Sequence, residues 1–295
     1  MQPFPAILRD NTRIAVVEPP WAPGLAVAFG RWVGTMVPVS PLATGKGPDR
    51  ETALAGCLGE MAENLSIGVA AHPQPVLAAG MDARVIDLGS PGDAGSEGCA
   101  AHGDPATAAL RAVCERIERA ALALWWQGQI PAASLGADRL AEQRYRAGVA
   151  LRRTRAWRLD LVPGVASVLV LTDDGTGARI ALGSAAALTL DDAVEAALRE
   201  ALLAEIAFLA PPEHPDRRRT EALDRMLRGR LPELERAGAD AGDATADGEN
   251  AAAVLDRCRA LGHAGAIADL THPVLRVPVM RCVIPSWPLW RGLAL

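Results

Sequence analysis

VASVLVLTDDGTGARIALGSAAALTLDDAVEAALREALL, residues 165–203, joins two unlike periodicities through turn chemistry. Its first part is a β-favouring apolar run, and the Asp and Gly residues of DDGTG can reverse the chain into a second run, ARIALGS. Thr189, with Asp192 three residues later, makes a capping-box-like start for a helix through DDAVEAALREALLAEIAFLA. Strand, turn, strand and capped helix, without the Gly-rich turn of a dinucleotide fold, place the chain in the α/β or α+β class. Mixed sheets with helices packed on them are expected.

The same punctuation organises the rest of the chain. TRIAVVE (12–18) reads as a strand, followed by a Pro/Gly-rich loop through Trp21 and Gly24. SPLATGKGPDRETALAGCLGEMAENLSIG (40–68) passes from Lys46, on a flexible glycine-flanked loop, into a helix over 50–66 begun by Pro48 and Asp49. ARVIDLG (83–89) is a further strand. GDPATAALRAVCERIERAALALWW (103–126) is a helix with Asp104 as its cap and Pro105 in its first position. GADRLAEQRYRAGVALRRTRAW (136–157) reads as helix-rich, charged and exposed. AGADAGDATADGEN (237–250) lacks apolar periodicity and reads as a mobile surface segment. The alternation of VLRVPVMRCVIPSWPLW suggests a strand stopping at Pro285. A single domain over 1–295 is expected.

Composition narrows the function. With 50% hydrophobic and 22% charged residues, the chain can bury an ordinary globular core. No apolar run approaches the roughly 20 residues of a membrane span, and MQPFPAILRDNTR lacks a signal-peptide layout, so a cytoplasmic protein away from membranes is expected. A net charge of −5 without a basic run argues against nucleic acid as the main partner. Cys57, Cys99, Cys114, Cys258 and Cys282 form no CxxC and sit among small or apolar residues, as buried reduced thiols do. The histidines show no metal-site spacing.

The acids are the informative feature. In the 103–126 helix, Leu110, Val113, Ile117 and Leu124 share one stripe, while Glu115 and Glu118 fall opposite. The 50–66 helix repeats the pattern, with Leu54, Leu58, Met61 and Leu65 on the stripe and Glu60 and Glu63 away from it. No Lys or Arg stands three or four residues from either of the latter, where an exposed helix would usually carry one. Glu200 lies on a helix that is apolar nearly all round, with Ala196, Ala197, Leu203 and Ala204 at contact spacing. A buried carboxylate must be protonated, paired or bound to a cation. Three helices offering such acids suggest a shared acidic cavity for Mg2+, which commonly arrives with a nucleotide's phosphates. Arg119 could meet a phosphate or form an i,i+4 pair with Glu115, and Lys46 could reach a phosphate or remain solvated. TGKGP lacks P-loop spacing.

These residues resemble the YcaO-domain family. ATGKGPDRETALAGCLGEMAEN is similar to that family's GKG…A…SALGExxER block, and SEGCAAHGDPATAALRAVCERIERAALALWW to its S-N-G-x-A-A-G…ExxERDAxALWW block. RIALGSAAALTLDDAVEAALREALL and IADLTHPVLRVPVMRCVIP resemble its third acidic helix and its D-x-T-x-P…PV-x-x-x-x-P strand, in family order over roughly residues 40–290. The resemblance implies an enzyme that binds ATP and Mg2+ without a P-loop and activates a backbone amide of a ribosomally made peptide. An azoline or a thioamide results. By motif position, Glu60, Glu63, Glu115 and Glu118 would serve the metal, while Lys46, Ser96, Arg119 and Glu200 would serve the nucleotide. No single residue is assigned as catalytic. A precursor peptide, a separate leader-binding or partner protein, and possible homo-oligomers are the implied partners.

Departures accompany the match. Gly56 replaces Ser, Asn64 replaces the Arg of the first ExxER, Ala120 replaces Asp, Ala196 replaces Arg and Leu203 replaces Gln. The sequence closes on PLWRGLAL where cyclodehydratases of this family carry a Pro-rich tail. The alternative these losses imply is a catalytically impaired subunit that binds peptide or an active partner.

Overall fold

The structure is a computed structural model that describes residues 4–69, 74–79, 96–136, 142–146, 152–211, 213–239 and 250–290. In chain order the elements are α1 (Ala6–Asp10), β1 (Thr12–Val17), β2 (Ala26–Trp32), β3 (Leu42–Gly47), α2 (Arg50–Val69), β4 (Gln74–Ala79), β5 (Cys99–Ala101) and α3 (Pro105–Trp126). They continue with β6 (Ala133–Leu135), α4 (Glu142–Arg146), β7 (Arg153–Arg158), β8 (Ala166–Asp173), β9 (Ala181–Ala187) and α5 (Leu190–Ala204). After a short 3-10 turn come α6 (Pro215–Glu235), α7 (Ala251–Ala260), β10 (Gly265–Asp269) and β11 (Val279–Val283). The expected mixture of small sheets and packed helices is present.

The chain divides into two compact units, each assembled from separate stretches of sequence. The first comprises Met1–Val17, Ala26–Ala120 and Gly248–Leu289. In it β1, β2 and β3 form an antiparallel meander, and a second antiparallel sheet has the order β4-β10-β11-β5. Helix α2 lies on the meander at very close range. A Cβ built on Gly45 of β3 would stand 2.0 Å from the Ala53 carbonyl oxygen, so only glycine permits this approach. Asp49 caps the helix by accepting from the Thr52 N–H at 2.7 Å. Ala53, Cys57, Met61, Ala62 and Leu65 then bury against Ala26, Ala28 and Ala43 of the strands and Val279 of β11.

The second unit comprises Glu18–Leu25, Ala121–Asp247 and Trp290–Leu295. Its sheet has the order β6-β7-β8-β9, all antiparallel, with β8 buried along its whole length. The expected β8–β9 hairpin and helix start are observed: Thr189 Oγ1 accepts from the Asp192 N–H at 3.2 Å and donates to Asp192 Oδ2 at 2.7 Å. Gly183 repeats the role of Gly45, since a Cβ there would meet the Ala197 carbonyl oxygen of α5 at 2.1 Å. Trp125, Trp157, Leu159, Leu169 and Leu227 fill the core.

Two expectations are corrected. The stretch 136–157 is not an exposed helical region: among its described residues it forms only the short α4, and then β7, with Tyr145 and Arg146 buried. Its arginines find remote acids, Arg146 and Arg152 meeting Glu205 at 2.7 and 3.0 Å and Arg155 meeting Asp173 at 2.7 Å. Lys46 is not on a loop but within β3, opposite Val27. The strand expected at 83–89 lies outside the described residues, as do residues 240–249 of the segment 237–250. All five cysteines are free and buried, and burial pushes the Cys57 thiol up to about 12. No described helix is long and apolar enough to cross a membrane.

Candidate functional site

Helix α2 presents its acids toward neighbouring strands. Glu60 Oε2 accepts from both the N–H and the hydroxyl of Thr44 at 2.9 Å, which fastens the helix to β3. Lys46 lies two residues beyond Thr44 and so emerges on the same face of that strand. Glu63 Oε1 accepts from the Ala101 N–H of β5 at 2.7 Å. Burial pushes the Glu63 carboxyl up to about 8; the Ala101 N–H and the Arg111 guanidinium pull it down, while Glu60 adds to the rise.

Helix α3 brings its acids into the same neighbourhood. Burial holds the Glu115 carboxyl well above the usual range, opposed by Arg119 and reinforced by Glu63, Glu118 and Glu97. Glu118 is buried, at 8% exposure. Arg119 serves both acids, with Nη1 at 3.2 Å from Glu118 Oε1 and Nε at 3.8 Å from Glu115 Oε1. The helix is buried well beyond its apolar stripe, because Ala112, Cys114, Arg116, Ala120 and Ala121 are enclosed as well as Val113 and Ile117. Ser96 opens the turn into β5, where its carbonyl accepts from the Cys99 N–H at 3.0 Å.

Within the first unit, Glu60, Glu63, Glu115, Glu118 and Arg119 thus form one electrostatic group joining α2 and α3. Glu200 belongs to the second unit, on α5. That helix is not apolar all round: Leu190, Ala193, Val194, Ala197, Leu198, Ala201 and Leu202 are buried, while Glu195, Ala196, Arg199, Glu200 and Leu203 form a half-exposed face. On it Glu195 accepts from Tyr145 Oη at 2.7 Å and meets Arg199 at 3.5 Å.

Three further residues around this group, Glu97, Arg111 and Arg116, were missed in the sequence. Glu97 acts on both Glu115 and Arg116. Arg111 reaches Glu63 from a different helix. Arg116 is 3% exposed and spends its guanidinium on the carbonyls of Trp287 (2.8 Å), Pro288 (3.2 Å) and Ile284 (3.3 Å), partners far away in sequence. The spacing of Glu97, three residues before Ala100 and just after Ser96, could have been noticed; the arginines' partners could not.

Three of the departures, Gly56, Asn64 and Ala120, have structural explanations. Gly56 stands 3.3 Å, measured from an added Cβ, from Gly45 Cα, so a larger residue would press on β3. Asn64 donates to the Leu42 carbonyl at 3.1 Å, and Ala120 is wholly buried, where an Asp would lose its hydration.

Among the described residues no three His, Cys, Asp or Glu side chains are gathered tightly enough to enclose a metal by themselves. Mg2+ asks for less, since it is commonly held by one or two carboxylates together with phosphate oxygens and water. Carboxyls that burial keeps protonated are also groups whose protons a divalent cation displaces.

A heterocyclase solved with substrate and cofactor matches with a TM-score of 0.70 at 17% identity, over 94% of this chain and 50% of its own. This chain thus spans about half the length of that protein. YcaO from Methanopyrus kandleri, bound with AMPPCP and Mg2+, matches with a TM-score of 0.66 at 16% identity, over 94% of this chain and 86% of its own. The E. coli microcin synthetase McbBCD complex with pro-MccB17 bound matches with a TM-score of 0.60 at 16% identity, over 93% of this chain and 88% of that chain. No curated protein gives a significant sequence match. The fold is shared with all three structures. Residues 83–287 match the family model described as YcaO cyclodehydratase, ATP- and Mg2+-binding, and the chain belongs to that family.

Proposed function

We propose that this chain carries out ATP- and Mg2+-dependent cyclodehydration of a precursor peptide, converting a backbone amide and a neighbouring Cys, Ser or Thr side chain into an azoline. Net, the peptide loses the elements of water while ATP is split to ADP and phosphate. The observation that carries this reading is the grouping of half-buried Glu63 on α2 with Glu115 and the buried Glu118 on α3, the latter two paired with Arg119. Glu60, Glu63, Glu115 and Glu118 would hold Mg2+; Lys46, Ser96 and Arg119 would hold the nucleotide. Mg2+, when bound, supplies charge neutralisation along the phosphates. The chain contributes position and fixed charge: Thr44 and the Ala101 N–H hold Glu60 and Glu63 in place, and Arg119 does the same for Glu118.

A separate protein presents the peptide in this proposal, as the complex form of the microcin synthetase supports. The test is phosphate release with Mg·ATP and candidate precursor peptides, with and without the partner, read alongside peptide mass. Peptide-dependent phosphate release with loss of a water mass is expected, and Glu118→Ala abolishes it along with nucleotide binding. Exchange of oxygen for sulfur would instead mark thioamidation. A second reading, a catalytically impaired subunit, is favoured by Asn64 and Ala120, which supply no charge where the family carries Arg and Asp. Folded protein that ignores nucleotide supports that reading.

A further inference from the structure

Buried arginines need an anion or a full set of acceptors, since a lone charge away from water costs several kcal/mol or more. Among the described residues the first unit buries two, and the fold satisfies them very unequally. Arg116 meets the carbonyls of residues 284, 287 and 288, stacks 5.8 Å over the Trp287 ring and is drawn by Glu97. Arg281, in β11, is only 4% exposed, yet its Nε–H meets no acceptor, and no hydrogen bond or ion pair joins its guanidinium to any described residue.

The strand register places Arg281 beside the acidic group. It lies directly opposite Cys99 of β5, and Val279 lies opposite Ala101, so these side chains emerge on one face of the sheet. Ala101 is the residue whose N–H anchors Glu63. Cys99 itself is within electrostatic reach of Arg281, Glu115 and Glu63. Arg281 and Arg116 also repel each other, so the nearest buried cation aggravates the imbalance instead of relieving it.

We propose that Arg281 is an anion-binding residue of this site, taking a phosphoryl oxygen through its guanidinium. The assignment rests on the nucleotide reading given above and adds a residue that the acidic motifs do not contain. A guanidinium suits the task because it is permanently charged and its forked N–H groups match phosphate oxygens. The phosphoryl oxygen could belong to the terminal phosphate of a nucleotide or to a phosphate common to di- and triphosphates, and the experiment separates these.

Calorimetric titration of the full chain with Mg·AMPPNP and with Mg·ADP would be compared for wild type, Arg281→Met and Arg281→Lys, with thermal unfolding in each case. Arg281→Met is expected to stay folded, with a melting temperature equal to or above wild type, and to bind Mg·AMPPNP about 10- to 100-fold more weakly. Arg281→Lys should fall between. If Mg·ADP weakens equally in a fully stable protein, the contact is to a shared phosphate; if it is spared, the contact is to the terminal one. Undiminished Mg·AMPPNP binding by Arg281→Met overturns the proposal, and so does a loss of binding that follows lost stability in both variants. A third arm uses inorganic tripolyphosphate in thermal unfolding. Should wild type bind neither nucleotide, the nucleotide reading fails, while stabilisation by tripolyphosphate in wild type and not in Arg281→Met would keep the arginine's assignment. Absence of that stabilisation then removes it.

Discussion

Glu63 shows how one residue can serve structure and site together. Its carboxylate accepts from the Ala101 N–H, yet burial and Glu60 raise it to about 8, with Arg111 the opposing cation from α3. The folded protein therefore holds a proton that the unfolded chain, with an ordinary carboxyl near 4.5, releases. Stability contributed this way is lost as pH rises from the unfolded value through about 8. Glu63→Gln is expected to flatten the fall in melting temperature between about pH 5.5 and pH 8, as thermal unfolding at the two pH values would show. An unchanged slope in the variant would assign the pH dependence elsewhere. The sequence made Glu60, Glu63, Glu115 and Glu118 legible, because none of the α2 acids has a counter-ion at helical spacing. It could not reveal Arg111 or Arg281, whose neighbours come from other elements.

At the scale of elements, the close packing of a helix on the strand before it occurs once in each unit. Gly45 under α2 and Gly183 under α5 leave no room for a Cβ. Gly45→Ala and Gly183→Ala are each expected to destabilise by about 1–3 kcal/mol in urea unfolding, through forced separation of helix and strand. A change well below that range would mean the backbones separate without cost. Thr189→Ala should remove about 1 kcal/mol by the same measurement, since Thr189 Oγ1 satisfies the Asp192 N–H. Caps, the β8–β9 hairpin and the long helices were readable because their signals are local. β7 was misread because its arginines look solvated until Asp173 and Glu235 are brought to them. Lys46 was misread because the glycines around it signal close packing on α2 and not a loop.

At the scale of the whole molecule, the family and the fold are established, while the acidic site, the separate partner and the peptide belong to the proposal. The two-unit division was not legible, since each unit is stitched from distant stretches of chain. Peptide-dependent turnover is expected only when the presenting protein is supplied. Equal phosphate release with and without it would make this chain sufficient alone. The most direct measurement is calorimetric titration of Mg·ATP into wild type, Glu63→Gln and Glu115→Gln, with folding checked by circular dichroism. One site shared by α2 and α3 requires wild type to bind and each folded variant to lose about 10-fold or more in affinity. Wild-type affinity in either variant, or no binding by the wild type, would contradict it.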